Sequence, residues 1–236
     1  MKIEILYPEI CNLFGDLMNA RYLARSCSDA EIIETGLKDS PAFLEGGVSL
    51  VYIGSTTERG QALAVSALMP HKDRIAQLIK GGQAFLVTGN AMELFGQYIE
   101  NEDGSRIECL GLFDTYAKRV MMARYNSLYL GKFGDDTIIG FKSQFSHSYG
   151  EGGDGLFDTV RGAGRNPDIS KEGFRLGNFM ATYILGPVVI LNPPFAKYLL
   201  ALIGADSETL AFEEAAYDVY NLRVKEFSEP DRGFIY

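Results

Sequence analysis

Cationic side chains, chemically reactive side chains and long apolar runs are all scarce in this sequence of 236 residues, and each shortage removes a class of function. Lysine and arginine number 22 against 31 aspartates and glutamates, which leaves a formal charge of −9, and the cations are scattered along the chain. Nucleic-acid binding draws most of its affinity from clustered Lys and Arg that displace counterions, so no nucleic-acid partner is expected. Three cysteines occur, Cys11, Cys27 and Cys109, and they form neither a CxxC pair nor an even framework. That pattern suits a reducing compartment. The opening MKIEILYPEI lacks the continuous apolar stretch of a secretory leader, and together these features predict a cytoplasmic protein. The most apolar region, Ala181 to Ala205, is interrupted by Gly186, Pro187, Asn192, Pro193 and Pro194. It cannot form the helix of about 20 apolar residues that a membrane span requires. Glu102, Asp103 and the acidic residues of Glu213 to Asp218 lack metal-ligand spacing, so neither a metal nor a cofactor is expected.

What is present is ordinary for a folded protein: 47% apolar and 22% charged residues, in a chain long enough for one sizeable domain. Ile3 to Tyr7, Glu31 to Glu34, Ser49 to Ile53 and Gln83 to Thr88 read as strands. Between them lie helical stretches from Asp16 to Ser26 and from Gln61 to Lys80, the second broken at Pro70. A further helix is expected from Ala91 to Gln97. Alternation of this kind predicts an α/β fold with a mostly parallel central sheet and helices on both faces. Val120 to Leu130, Thr137 to Lys142 and Phe179 to Ile184 read as further strands that extend the sheet, and SYGEGGDG between them reads as a flexible glycine-rich loop. A single domain over 1–236 is expected, closing with helices in 194–227. The last helix, Ser207 to Phe227, would have Asp206 as its N-cap and a buried stripe of Leu210, Ala211, Ala215, Val219 and Leu222.

The turn after Thr88 carries the most information about chemistry. A tight strand-to-helix turn among small residues is the nucleophile elbow of many hydrolases, and here its apex candidates are Thr88 and Gly89. Around it, seven short segments run in a recognisable order. They are Tyr7-Pro-Glu-Ile-Cys-Asn-Leu-Phe-Gly-Asp16-Leu-Met-Asn19, Gly54-Ser-Thr-Thr-Glu-Arg-Gly-Gln61, Gly81-Gly-Gln-Ala-Phe-Leu-Val-Thr-Gly89-Asn-Ala-Met-Glu-Leu-Phe-Gly96, Leu110-Gly-Leu-Phe-Asp114, Ile139-Gly-Phe141, Glu172-Gly173 and Ala181-Thr-Tyr-Ile-Leu185-Gly-Pro187. With these segments the sequence resembles the CobB/CobQ-like branch of class I glutamine amidotransferases, and within it the GatD-type glutaminase subunit of lipid II isoglutaminyl synthase.

The resemblance implies a flavodoxin-like three-layer fold, and it places the family's catalytic cysteine at Gly89 and its catalytic histidine at Leu185. Neither residue can do the chemistry, which needs a thiolate to attack the amide and an imidazole to move the proton. The expected protein is therefore a catalytically degenerate relative, a binding or regulatory subunit connected with cell-wall precursor amidation. A Mur-ligase-like partner and a small-molecule ligand such as glutamine are implied by the same resemblance. Gly54, Asn90, Glu93 and Arg124 are the ligand-binding candidates, with Arg124 as a contact for a substrate carboxylate. The alternative is an active glutamine-hydrolysing enzyme with an unusual nucleophile, Thr88 or Cys109, that donates ammonia to a Mur-ligase-like or cobyric acid synthase-like partner. His71 reads as part of a solvent-facing turn and His147 as a loop residue, while Cys11 and Cys109 read as small buried apolar groups.

Overall fold

Four short strands rich in β-branched and aromatic residues form the frame. They are β1 (Lys2–Leu6), β2 (Glu31–Thr35), β3 (Leu50–Ile53) and β4 (Ala84–Thr88). In this computed structural model, which describes residues 1–234, the helices between them are α1 (Met18–Arg25), α2 (Glu58–Leu68) and α3 (Lys72–Lys80). Pro70 sits in the turn that separates α2 from α3, where its missing N–H costs no helical hydrogen bond. The later strands are β5 (Tyr98–Glu100), β6 (Arg106–Glu108), β7 (Asp114–Arg119), β8 (Tyr125–Phe133), β9 (Asp136–Gln144), β10 (Ser146–Glu151), β11 (Phe157–Arg161), β12 (Lys171–Glu172), β13 (Phe174–Leu176) and β14 (Phe179–Thr182). The chain closes with α4 (Val188–Leu191), α5 (Pro193–Leu202) and α6 (Glu213–Ser228).

The central sheet has the order β13-β14-β4-β3-β1-β2, with every pairing parallel except β13 to β14. Alternate residues along each strand go to opposite layers. Val51, Ile53, Phe85, Val87, Phe179 and Ala181 pack with Ala64, Val65, Leu68, Ile75 and Ile79 of α2 and α3. Ile3, Ile5, Leu50, Tyr52, Leu86 and Met180 pack with Ala20 and Leu23 of α1 and with Val188, Phe195 and Leu199 beyond. The α/β architecture with helices on both faces is thus as the sequence predicts.

Five expectations about particular segments are corrected. Val120 to Leu130 and Thr137 to Lys142 do not extend the central sheet, since the later strands make two further sheets of four, β10-β7-β5-β6 and β12-β11-β8-β9, whereas Phe179–Thr182 joins the central sheet as β14, as expected. Strand β8 turns straight into β9 through Gly134 (φ +59°) and Asp135, so the two strands pair with each other over nine positions rather than with the parallel sheet. Val120 to Arg124 is the turn that precedes β8, not part of it, and of SYGEGGDG the residues Ser148 to Glu151 belong to strand β10, paired to β7, while Gly152 to Gly155 link it to β11. Gly150 lies at φ +84° against the Asp114 carbonyl, which explains a glycine inside that strand. The segment after β4 is a 3₁₀ helix, Gly89–Phe95, in place of an α-helix, and Gly96 N closes it by donating to Glu93 O at 3.1 Å.

The last helix begins six residues later than expected, at Glu213, with Phe212 before it in a left-handed conformation; Asp206 instead accepts a hydrogen bond from Glu208 N in an upstream turn. Its buried face is Tyr220 and Phe227, flanked by Tyr217 and Val224, and packs against Leu130 and Ile139. Val219 and Leu222 face solvent. The aromatic side chains bury more area, and Tyr220 also donates to Thr137 O at 2.9 Å, so this face wins the contact with the sheet.

Candidate functional site

Strands β3, β4 and β14 are neighbours in the sheet, and the residues following their carboxyl ends meet at one corner: Ser55, Gly89 and Leu185. Open α/β sheets bind ligands beyond this edge. A cavity of about 330 Å³ opens there, within the range of small-molecule sites. Its floor is Ser55, Gly89 and Leu185; Thr56, Gln61 and Asn90 form one wall, Ser143, Gln144, Ser146 and Tyr183 another, and Phe14 and Arg124 the rim. Strand β9 reaches the site because Leu185 N donates to Phe141 O at 2.9 Å and Phe141 N returns a bond to Leu185 O at 3.3 Å.

The apex residue is held where only glycine sits without strain. Gly89 has φ +63°, and a Cβ placed on it would lie 2.4 Å from Ser55 Cβ and 3.4 Å from Leu185 Cδ2. Ser55 is itself fixed, since its N–H donates to Asp16 Oδ2 at 3.1 Å and its hydroxyl to Leu13 O at 2.9 Å. The serine therefore fills the space in which a nucleophile's side chain would begin.

Thr88 is fully buried and is not part of the cavity wall. Its hydroxyl donates to Asp16 Oδ2 at 2.6 Å and lies 2.8 Å from the Tyr52 hydroxyl. Asn19 adds a bond to Tyr52 and accepts one from Val189 N, so the residues of the N-terminal Gly-Asp-Leu-Met-Asn run tie together the ends of β3 and β4 and the start of α4.

Of the four ligand-binding candidates, Asn90 and Arg124 line the cavity, whereas Gly54 and Glu93 lie beneath it. Asn90 and Thr56 bond reciprocally, Thr56 N to Asn90 Oδ1 at 2.9 Å and Asn90 Nδ2 to Thr56 O at 2.8 Å. The Arg124 guanidinium stacks on Phe145 at 4.4 Å from the ring centre. Glu93 is the hub of a buried network: it accepts from Gln61 Nε2 (2.8 Å), from the Tyr183 hydroxyl (2.8 Å) and from the Ser146 hydroxyl, while Arg119 donates to Gln61 Oε1 at 2.7 Å. Three cavity-lining side chains are thus oriented from below by one carboxylate. Sequence reasoning did not single out Gln61, Ser146 or Tyr183, because their grouping around Glu93 joins helix α2, strand β10 and the segment after β14 and leaves no local spacing.

The cysteines take no part. Cys11, Cys27 and Cys109 are buried, and none lines the cavity. Burial pushes the thiols of Cys11 and Cys109 up to about 12, which leaves almost no thiolate at neutral pH. His147 stands on strand β10, 3.3 Å from Gln144 Nε2 through its Nδ1, and burial holds it below the usual histidine range. Among the described residues no cluster of three metal-ligating side chains occurs. Among the described residues no helix is long and apolar enough to cross a membrane.

Burial also raises both carboxyls beneath the cavity, Asp16 and Glu93, against the opposing pull of their hydrogen-bond donors. A carboxyl whose folded value lies above its unfolded one stabilises the protein in full below the unfolded value, about 4. That contribution is lost as pH rises through the raised folded value. Urea titrations from about pH 4.5 to 8 should therefore show the stability difference between wild type and Asp16→Asn moving against wild type as pH rises. A pH-independent difference would show that Asp16 does not titrate as its burial requires.

Residues 2–189 match the model of the CobB/CobQ-like glutamine amidotransferase domain. The chain is 27% identical over 195 residues to the lipid II isoglutaminyl synthase (glutamine-hydrolyzing) subunit GatD of Staphylococcus aureus, covering 83% of this chain and 78% of that protein. With the same subunit of Streptococcus pneumoniae it shares 24% identity over 230 residues, 91% of this chain and 86% of that one. Among solved structures, a glutamine amidotransferase of Thermotoga maritima superposes with a TM-score of 0.51 at 12% identity, over 94% of this chain and 92% of that one. The Trypanosoma brucei CTPS glutaminase domain with bound acivicin gives 0.51 at 10%, over 87% and 95%. These two likenesses concern the fold alone. By the match over most of its length, the chain belongs to the family of CobB/CobQ-like glutamine amidotransferase domains.

Proposed function

We propose that this chain is a non-hydrolysing member of its family, a binding or regulatory subunit in the amidation of a cell-wall precursor. One observation carries the reading: the elbow holds Gly89 with its side-chain space taken by Ser55, and Leu185 faces it. In the register of the resemblance these are the positions of the thiol and the imidazole, and glutamine hydrolysis by this family's route has no substitute for either. The partner follows by analogy from relatives that are named as subunits of a synthase, and a Mur-ligase-like ATP-dependent protein is the kind expected. A cytoplasmic location goes with that role.

The cavity retains features suited to an amino-acid ligand such as glutamine. Arg124 offers a cation for a carboxylate, and Gln144 Oε1 is buried without a hydrogen-bond partner, an acceptor that a ligand N–H can satisfy. Two measurements test the proposal. Ammonia release from glutamine, with and without a co-purified ligase-like protein, should stay at the uncatalysed level. Turnover that Thr88→Val or Cys109→Ala abolishes would establish the alternative enzyme instead. Glutamine should raise the melting temperature of the wild type, and Arg124→Ala should remove that shift.

A further inference from the structure

Helix α6 carries two apolar faces, and only one of them is used. Tyr220 and Phe227 pack on the sheet, while Phe212, Ala215, Val219 and Leu222 are exposed, three of them at 74%, 48% and 64% for Phe212, Val219 and Leu222. Ala215, Val219 and Leu222, spaced by four and three residues, have the spacing of a helix seam which meets another helix, and Phe212 stands just before the helix start in its left-handed conformation. Along one flank of this seam stand Glu214, Asp218, Asn221 and Lys225, acidic toward the start of the helix and basic toward its end. Among the described residues, Glu214, Asp218 and Lys225 form no ion pair, whereas the neighbouring Glu213 and Arg223 are engaged with Lys197 and Glu226.

A charge pattern that reverses along one flank is complementary to itself when a second copy runs antiparallel. In that arrangement residues on the same flank of the two helices face each other, so Asp218 of one copy meets Lys225 of the other, twice by symmetry. The layer between those pairs places Val219 against Leu222 of the second copy. A parallel pairing would instead set this flank against the opposite one, where Arg223 is already engaged with Glu226. We infer that the exposed seam of α6 joins two copies of this chain in an antiparallel, twofold helix pair. The seam lies outside residues 2–189, so this surface is separate from the matched domain and from the cavity. Two turns of seam make a small contact, and the association is accordingly weak and concentration-dependent.

Sedimentation equilibrium of the full chain, up to about 0.5 mM, should show a monomer–dimer equilibrium. Val219→Lys with Leu222→Lys should leave a monomer with an unchanged melting temperature, since both side chains are outside the core. Asp218→Lys and Lys225→Asp should each weaken the dimer about tenfold or more, and the two together should restore it. A chain that is monomeric throughout the range overturns the inference, as does a dimer indifferent to the lysine pair or one that the double charge reversal fails to rescue.

Discussion

Gly89→Ala is expected to destabilise the fold by about 3 kcal/mol, the sum of a left-handed backbone that a Cβ makes costly and an overlap in a packed corner. The overlap is with Ser55 Cβ at 2.4 Å, and Ser55 cannot swing aside without losing its bonds to Asp16 and Leu13. Ser55→Gly removes the obstruction, so Gly89→Ala in that background should cost about 1–2 kcal/mol, the backbone term alone. Urea unfolding of the four proteins in this cycle measures the coupling directly. Strict additivity would mean that the two positions do not compete for space. The same cycle bears on activity: placing a cysteine at position 89 by itself should destabilise the protein and produce no ammonia, because the serine opposite holds the place of its Cβ.

The second large effect concerns a charge pair far inside the molecule. Lys142 and Glu172 are both completely buried, with Nζ 3.6 Å from Oε1. Lys142 also donates to Gly164 O at 2.5 Å, and Glu172 accepts from Tyr183 N and from the Thr182 hydroxyl at 2.9 Å each. Burial holds the lysine below its ordinary value, and Glu172 opposes that shift. Glu172→Ala strands the ammonium and two donors, and should cost about 3–5 kcal/mol. Adding Lys142→Met to Glu172→Gln removes the stranded charge while keeping an acceptor for Tyr183, so the double variant should be more stable than Glu172→Gln alone. Equal stabilities for those two proteins would rule out a charged Lys142 in the fold. Because Tyr183 leads directly from this pair into the cavity, loss of Glu172 should also weaken the glutamine-induced thermal shift.

Much of the frame was legible from local pattern. Short apolar strands alternating with helical stretches predict the parallel sheet, and Gly89 after the strand ending at Thr88 marks its functional edge. What the pattern could not supply was pairing. Nothing in Val120 to Lys142 says whether two consecutive strands join an existing sheet or fold on each other; the tight turn at Gly134 decides it. Asn90 could be proposed from its place in a segment that resembles the family and Arg124 as the nearest cation for a substrate carboxylate, and both line the cavity. Glu93 could be proposed in the same way, yet its role is different: it holds Gln61, Ser146 and Tyr183 from below the floor, a relation among residues up to 122 positions apart along the chain (61 to 183).

By itself, the sequence determined the fold class, the alternation of the first four strands with their helices, and the absence of thiol and imidazole at positions 89 and 185, since these depend on residue identity and short-range periodicity. Only the tertiary structure decided that Ser55 occupies the apex space and that α6 turns its aromatic face inward and leaves Val219 and Leu222 outside. A helix with two apolar stripes satisfies the same local rules in either orientation, and a serine after a strand is compatible with many neighbours. Which arrangement forms depends on surfaces brought together from distant parts of the chain, where burial and steric exclusion act without leaving a mark on local spacing.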